Sequence, residues 1–281
     1  MSGLQPKARV FYGGSRQCTP LLDRLAPARN AGFTAVSVWP GDIRGLNVAD
    51  VRQSIAEAGL FVSEVELITN WMPEHAEGEN DFSKFLSAMT PQRVLPLAAG
   101  LGATVVSTAE LFGLPFDLDR IAGHFGALCD QAADHDLRIA LEFVPTGGVP
   151  GLREAMQVVE RAGRANGGLM VDAWHFFRSN SALADLAAVA GDRIFSIQLN
   201  DAAATPEPDL NIGMMHRLLP GAGEFDLAGL MRALAATQCD AFVGVEVFSK
   251  ELDGLPTGEA ARRCATALDL CLGHTTHSHT H

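Results

Sequence analysis

Short apolar runs alternate with longer amphipathic stretches along almost all of this 281-residue chain. Each run has five to eight residues rich in Val, Ile, Leu or Phe, which is typical of strands buried on both faces of a parallel sheet. The strict alternation predicts a sheet whose strands are joined by helical crossovers. The eight runs are Ala8–Tyr12, Thr34–Trp39, Phe61–Ile68, Thr104–Ala109, Arg138–Val144, Gly168–Asp172, Ile194–Asn200 and Ala241–Phe248.

The stretches between the runs carry helix signals. Asn47 is a good N-cap residue for a helix over Val48–Ala58, and Gly59 is its stop. Apolar residues recur at helical spacing through Leu118–Ala133, so one face of that helix points to a core. Eight strand–helix repeats predict a single-domain (β/α)8 TIM barrel over residues 1–272. An open dinucleotide-binding sheet would carry G-x-G-x-x-G after its first strand, where this chain has Tyr12-Gly13-Gly14-Ser15.

Charge and composition exclude several function classes. The chain has 21 Lys and Arg against 33 Asp and Glu, a formal net charge of −12, which is unfavourable for binding nucleic acids or anionic membranes. No stretch reaches the about 18 apolar residues of a membrane span, and Met1–Arg9 lacks the apolar segment of a signal peptide. Five cysteines without a C-x-x-C pair are typical of a reducing compartment. We therefore expect a cytoplasmic protein.

Four polar side chains stand near the C-terminal ends of the last four predicted strands. They are Glu142, Asp172, Gln198 and Glu246. In a parallel barrel these strand ends meet on the face where substrates bind. Three buried carboxylates repel one another unless a cation compensates them, and the central positions of these strands contain no Lys or Arg. Together with an amide oxygen they form an all-oxygen ligand set that suits Mg²⁺ or Mn²⁺.

The sequence around these positions resembles the xylose isomerase-like TIM-barrel superfamily, also called the sugar phosphate isomerase/epimerase family. The resemblance extends over residues 8–272 and implies that Glu142, Asp172, Gln198 and Glu246 bind one divalent ion, usually Mn²⁺ or Mg²⁺ and in some members Co²⁺. The similar motifs are Ala140-Leu141-Glu142-Phe143, Val171-Asp172-Ala173-Trp174-His175, Ile197-Gln198-Leu199-Asn200-Asp201, Pro220-Gly221-Ala222-Gly223-Glu224-Phe225-Asp226 and Gly244-Val245-Glu246.

The resemblance also implies two substrate-binding residues. His175 follows Asp172 in an Asp-x-x-His arrangement that family members use to contact sugar oxygens, and Arg217 resembles an arginine that closes over the substrate. The alternatives are a hydrogen-bonded histidine at the barrel rim and a solvated loop cation. The chain departs from the family by having Ala222 at the third position of the Pro-Gly-Glu-Gly turn and Gln198 where histidine is commoner. In having glutamine at this position, the chain resembles hydroxypyruvate isomerase, inosose dehydratase and 3-dehydroshikimate dehydratase.

Three further residues come at the ends of earlier predicted strands. Glu66 and Glu110 can reach the barrel mouth, but an ion pair at the rim is the simpler interpretation of both. Trp39 is expected either to form an apolar wall of the pocket or to pack in the core. The segments Asn70–Asp81 and Asp201–Glu224 are long connections without a predicted helix, and such connections are usually functional or disordered.

The predicted site supports proton transfer next to a carbonyl group. A divalent ion that chelates a carbonyl and its neighbouring hydroxyl stabilises an enediolate, while a carboxylate acts as general base. We assign the catalytic roles to Glu142 and Glu246. The leading hypothesis is an isomerase or epimerase of a small polyhydroxylated carbonyl compound, which is a sugar-like substrate. A dehydratase of the 3-dehydroshikimate or inosose type is the alternative, because the same residues serve loss of hydroxide.

Two hypotheses come from other classes. An endonuclease IV-like DNA-repair enzyme shares this barrel but needs additional histidine ligands, and His75, His124, His135 and His216 do not fall at predicted strand ends. A metal-free binding subunit would bind no ion in a calorimetric titration. Residues 273–281 form a His-rich tail that either chelates transition metals or, lacking apolar residues to anchor it, is disordered. The sequence is compatible with a homodimer.

Overall fold

Eight parallel strands close into a barrel in chain order, with the last strand paired to the first. The computed structural model describes residues 4–75 and 80–273. The prediction of a single-domain TIM barrel is confirmed. The strands are β1 (Ala8–Phe11), β2 (Ala35–Val38), β3 (Phe61–Ile68), β4 (Val105–Thr108), β5 (Arg138–Glu142), β6 (Gly167–Asp172), β7 (Ile194–Leu199) and β8 (Phe242–Val245).

Helices surround the strands, and the contacts of each main helix are with neighbouring helices and strands. Two 3₁₀ turns, Gly13–Arg16 and Gly191–Arg193, complete the regular structure of the described residues. The helices are α1 (Leu21–Asn30), α2 (Val48–Glu57), α3 (Asp81–Ala88), α4 (Pro91–Leu101), α5 (Leu118–Ala133), α6 (Leu152–Ala162), α7 (Ala173–Arg178), α8 (Leu183–Ala187), α9 (Leu210–Gly213), α10 (Leu227–Thr237), α11 (Lys250–Asp253) and α12 (Thr257–Leu272).

The local helix signals are confirmed. Asn47 caps α2, because its side-chain oxygen accepts hydrogen bonds from the backbone N–H groups of Ala49 (2.9 Å) and Asp50 (3.2 Å). Helix α5 begins and ends at the predicted residues and buries its apolar stripe in the core. No helix in the described ranges is both long and apolar enough to cross a membrane.

The barrel interior changes from apolar to polar along its axis. The part of the interior away from the C-terminal strand ends, here called the lower part, is filled by a separate cluster of buried side chains. The strands pack on the helices through a second, larger core. Because the lower part is closed by apolar packing, the polar side chains of the strands gather at their C-terminal ends. The lower cluster consists of Ala8, Val10, Tyr12, Ala35, Val105, Ala140, Met170, Phe195 and Phe242.

The long connection after β7 is more ordered than predicted. It contains the short helix α9, which Asp209 caps, and Asp201 forms an antiparallel bridge with Leu218. The carboxylate of Asp201 also accepts hydrogen bonds from the backbone N–H groups of Gly221 (3.0 Å) and Phe225 (3.0 Å). These contacts tie the connection to the end of β7 and hold the residue before Leu218, an arginine, against the barrel mouth.

Two predicted segments fall partly outside the described residues. In the connection Asn70–Asp81, residues 76–79 are not described, whereas Thr69 and Asn70 donate backbone hydrogen bonds to Met89 O. Of the tail predicted over 273–281, only Gly273 is described, and it ends α12 with a positive φ of 74°. The remaining tail residues lie outside the described part of the chain.

Candidate metal centre and active site

The register of the last four strands brings the four predicted ligands to one end of the barrel. Asp172 lies beside Gln198 in the β6–β7 pair, and Gln198 lies beside Gly244 in the β7–β8 pair. Glu142 is the last residue of β5, and Glu246 directly follows β8, where the predicted strand ran on to Phe248. Strand β8 is shorter because only Phe242–Val245 pair with β1 and β7.

All four side chains are removed from solvent to different degrees. Asp172, Gln198 and Glu246 are buried, whereas the side chain of Glu142 is 13% exposed. Glu142 is therefore the one of the four that opens toward the barrel mouth.

Asp172 is held by three different donors. Its Oδ1 accepts a hydrogen bond from the backbone N–H of His175 (3.0 Å), which caps α7. Its Oδ2 accepts hydrogen bonds from Asn200 Nδ2 (2.9 Å) and from Arg217 Nη1 (2.8 Å). The carboxylate therefore has a fixed orientation, as expected of a group that takes part in a preorganised site.

The structure brings His175 into the carboxylate cluster. Its Nε2 lies 3.5 Å from Glu142 Oε1, and one ligand atom each of Glu142, Asp172 and His175 lie within 4.8 Å of one another. Burial lowers the pKa of His175 to about 4, so its imidazole is neutral at neutral pH. A neutral imidazole can bind a metal ion, or donate a hydrogen bond from one nitrogen and accept one at the other.

Arg217 supplies the positive charge of the site in this structure. Its Nη1 lies 2.8 Å from Asp172 Oδ2 and 3.4 Å from Glu246 Oε2, and its Nη2 lies 3.3 Å from His175 Nε2. The residue is only 2% exposed, and its guanidinium stands 4.8 Å from the centre of the Phe248 ring. Arg217 is therefore a buried site residue, and the alternative of a solvated loop cation is wrong.

Among the described residues, Glu66 does not form the ion pair at the rim that we expected. Its Oε2 accepts a hydrogen bond from Gln198 Nε2 (2.9 Å), and its Oε1 accepts one from Trp39 Nε1 (3.3 Å). Within residues 4–75 and 80–273 no Lys, Arg or His forms an ion pair with it. The strand directs this side chain into the barrel, where no rim cation reaches it.

Negative charge exceeds positive charge at this end of the barrel. Burial raises the pKa of Glu142, Glu246 and Glu66 above the ordinary glutamate range. The neighbouring charges of Asp172 and Glu66 raise the pKa of Glu142 and Glu246 further, and Arg217 opposes these effects without cancelling them. The cluster is therefore costly to keep ionised without a further cation.

The residues present fit a divalent cation. Gln198 Oε1 and Glu246 Oε1 are buried and have no hydrogen-bond partner in the described part of the chain. Space around Glu246 is kept by Gly14, since a Cβ at that position would lie 2.6 Å from Glu246 Oε1. Carboxylate and amide oxygens are the donors that Mg²⁺ and Mn²⁺ prefer, and the cluster also contains an imidazole.

A second polar group, which the sequence reasoning missed, lies beside the site. Glu64 is buried, and its carboxyl group accepts hydrogen bonds from Tyr12 Oη (2.5 Å) and Ser196 Oγ (2.8 Å). Burial raises the pKa of Glu64 to about 8. The sequence contains a signal for this group. Glu64 and Glu66 stand on either side of Val65, and side chains two apart in a strand share a face, so Glu64 is expected on the same face as Glu66.

Glu110 lies beside a histidine, where we expected an ion pair at the rim. Its Oε1 lies 3.3 Å from Nε2 of His75, whose ring stacks on Phe112 with 4.3 Å between ring centres. The backbone N–H groups of Phe112, Leu114 and Gly148 also donate to this carboxylate. Burial alone would raise the pKa of Glu110, but the hydrogen bonds outweigh it and lower the pKa.

Comparison with known proteins gives one family and several relatives. The model of a family described as xylose isomerase-like TIM barrel matches residues 25–269. A 3-dehydroshikimate dehydratase of Pseudomonas aeruginosa is 28% identical over 245 residues, which cover 84% of this chain and 37% of that protein. An inosose isomerase of Bacillus subtilis is 33% identical over 138 residues, which cover 47% of this chain and 48% of that protein. The matches thus span less than half of each relative.

A solved structure supports the same fold. The IolI protein with a bound zinc atom has a TM-score of 0.82 and 19% sequence identity. The similarity covers 96% of this chain and 99% of that one.

Proposed function

Because the chain belongs to the xylose isomerase-like TIM-barrel family, we propose that it is a divalent-metal-dependent isomerase or epimerase. Its substrate is a small polyhydroxylated carbonyl compound. The observation that carries the proposal is the excess of buried carboxylates at the C-terminal end of the barrel, together with the unpartnered oxygens of Gln198 and Glu246.

Glu142, Asp172, Gln198 and Glu246 would hold the ion, with Mn²⁺ or Mg²⁺ favoured by their oxygen donors. The zinc atom of the IolI structure supports a divalent ion in this fold, although the donor set of that protein is its own. When bound, the ion supplies positive charge where negative charge develops on the substrate oxygens. The buried walls of the site strengthen that stabilisation, since they exclude water.

Different side chains of the site would take different parts in proton transfer. Glu142 opens toward the mouth and lies next to neutral His175, so it can take a proton from a carbon beside the carbonyl. Glu246 approaches from β8 and can return a proton from another direction. Arg217 and His175 present N–H groups that orient substrate oxygens. Return to the neighbouring carbon gives isomerisation, and return to the opposite face of the same carbon gives epimerisation.

Hydrogen–deuterium exchange tests the proposal directly. The full chain is loaded with Mn²⁺ and incubated in D₂O with a panel of ketoses, aldoses and cyclic polyhydroxyketones, and proton NMR follows the carbon beside each carbonyl. We expect exchange at that carbon with at least one substrate, and no exchange after EDTA treatment. Absence of exchange and turnover across the panel would contradict an isomerase or epimerase.

A dehydratase is the second candidate, since the 3-dehydroshikimate dehydratase relative matches 84% of this chain. The same general base would remove the proton, and a neighbouring acid would assist departure of a β-hydroxyl group as water. The two candidates differ in their products. Dehydration of a cyclic hydroxyketone produces a conjugated enone or an aromatic ring with ultraviolet absorbance, whereas isomerisation and epimerisation do not. Growth of that absorbance with 3-dehydroshikimate or an inosose would decide for the dehydratase.

A further inference from the structure

Gln198 has two chemically different ends, and only one of them can serve a metal ion. The amide oxygen is a ligand for hard cations, whereas the amide NH₂ group is a donor that a cation repels. The structure separates these two ends. Gln198 Nε2 donates to Glu66 Oε2 at 2.9 Å, and Gln198 Oε1 is buried without a hydrogen-bond partner in the described residues.

Glu66 is itself fixed from the opposite side. Its Oε1 accepts a hydrogen bond from Trp39 Nε1 at 3.3 Å, and the Trp39 ring packs edge-on against Phe248, 6.3 Å between ring centres. Glu66 is only 6% exposed. The Glu66 oxygen that faces Gln198 accepts from the NH₂ end of the amide, and in this arrangement the amide oxygen points the other way.

We infer that Glu66 is a positioning residue, which orients the Gln198 amide so that Oε1 faces the divalent ion. The inference rests on the proposed metal site and adds to it a partner that sets the direction of one ligand. Partners of this kind contribute strongly to metal sites, since their substitution typically weakens metal affinity about 10- to 100-fold. Glu66 also lies within hydrogen-bond reach of Ser37 and Glu246, so the test has to separate an effect through Gln198 from an effect through Glu246.

Two substitutions separate orientation from charge. Glu66→Gln removes the negative charge but keeps an oxygen that can accept from Gln198 Nε2. Glu66→Leu removes the same charge and also the acceptor, so that the amide loses its fixed direction. The ratio of the Mn²⁺ dissociation constants of these two variants therefore separates the contribution of a polar amide at position 66 from that of the charge.

A second background makes the measurement specific for Gln198. In Gln198→Glu the side chain presents a carboxylate oxygen in either orientation, so it does not require an orienting partner. We expect Glu66→Leu to bind Mn²⁺ about 10-fold or more weakly than Glu66→Gln in the natural background, and about equally in the Gln198→Glu background. The full chain is freed of metal and titrated with Mn²⁺. The concentration of unbound Mn²⁺ is measured from its electron paramagnetic resonance signal.

Glu64→Gln is the matched control. Glu64 lies two residues before Glu66 on β3, but its partners are Tyr12 and Ser196, which are not proposed ligands. We expect its Mn²⁺ affinity to equal that of the unchanged chain. Thermal unfolding of each metal-free variant by circular dichroism verifies that the compared proteins are folded.

The outcomes distinguish this inference from the proposed function. If the unchanged chain binds Mn²⁺ but the Leu and Gln variants have equal affinity, Glu66 does not orient Gln198 and the metal site stands. An equal loss in both backgrounds would assign Glu66 a structural role or make it a ligand in its own right, and would overturn the inference. If the unchanged chain does not bind Mn²⁺ at all, both the inference and the proposed metal site fail.

Discussion

Glu110 and Glu142 are glutamates at the same end of the barrel, but their partners differ. Glu110 follows β4 and accepts hydrogen bonds from backbone N–H groups of Phe112, Leu114 and Gly148, beside His75. Glu142 ends β5, where Asp172 is a neighbour and His175 Nε2 lies 3.5 Å from Glu142 Oε1. The pKa is lowered for Glu110 and raised for Glu142.

The difference gives a physical criterion for choosing which carboxylate to test for function. Donors supplied by the protein compensate the charge of Glu110, and these donors also tie the connection after β4 to the connection after β5. Arg217 compensates the charge of Glu142 only in part, so an ionised carboxylate is costly to keep there. A group of that kind is a candidate for binding or catalysis.

The largest expected effect concerns activity. Glu142→Gln keeps the size of the side chain but removes the proposed general base, which is also a proposed charged ligand. With the substrate found by the exchange screen, we expect kcat to fall by about 10²–10⁴-fold or more. Glu110→Gln is the matched control, and its kcat should stay close to that of the unchanged chain. A similar loss of kcat in both variants would show that the comparison between the two glutamates does not separate function from structure.

For stability we expect a smaller effect and the reverse order of the two variants, with Glu110→Gln the more damaging substitution. Glu110→Gln places an NH₂ group against backbone N–H donors, so we expect the free energy of unfolding to fall by about 1–3 kcal/mol. Glu142→Gln removes repulsion from the metal-free protein, so its free energy of unfolding should be unchanged or higher. Urea titrations followed by circular dichroism in the presence of EDTA measure both values. Equal destabilisation by the two substitutions would contradict the contrast.

The fold was largely predictable because its signals are local and repeated. The apolar runs gave the eight strands within a few residues of their ends, and the stripe in Leu118–Ala133 gave α5 with its bounds. Helix α4 was harder to recognise, since it contains Pro96 and Gly100. Pro96 removes one backbone hydrogen bond from the second turn, and α4 nevertheless continues to Leu101.

The candidate site was only partly predictable. Each proposed ligand stands out as a polar residue in an apolar strand, so a pattern along the chain can find it. The contacts of Arg217 cannot be found in this way, because the loop that contains it is positioned by Asp201 through long-range hydrogen bonds. Glu66 was misinterpreted for the same reason, since its partners are distant along the chain: Gln198 lies in β7, and Trp39 directly follows β2.

We propose that the carboxylates at the barrel mouth, which Arg217 compensates only in part, bind one divalent ion. Anomalous diffraction from crystals of the full chain grown with Mn²⁺ tests it most directly, because it locates the ion and distinguishes this site from the His-rich tail. We predict one strong anomalous peak bonded to oxygens of Glu142, Asp172, Glu246 and the Oε1 atom of Gln198. A Mn²⁺-saturated crystal without a peak among these residues would contradict the proposed metal site, and Gln198 Nε2 facing the ion would contradict the proposed ligand set.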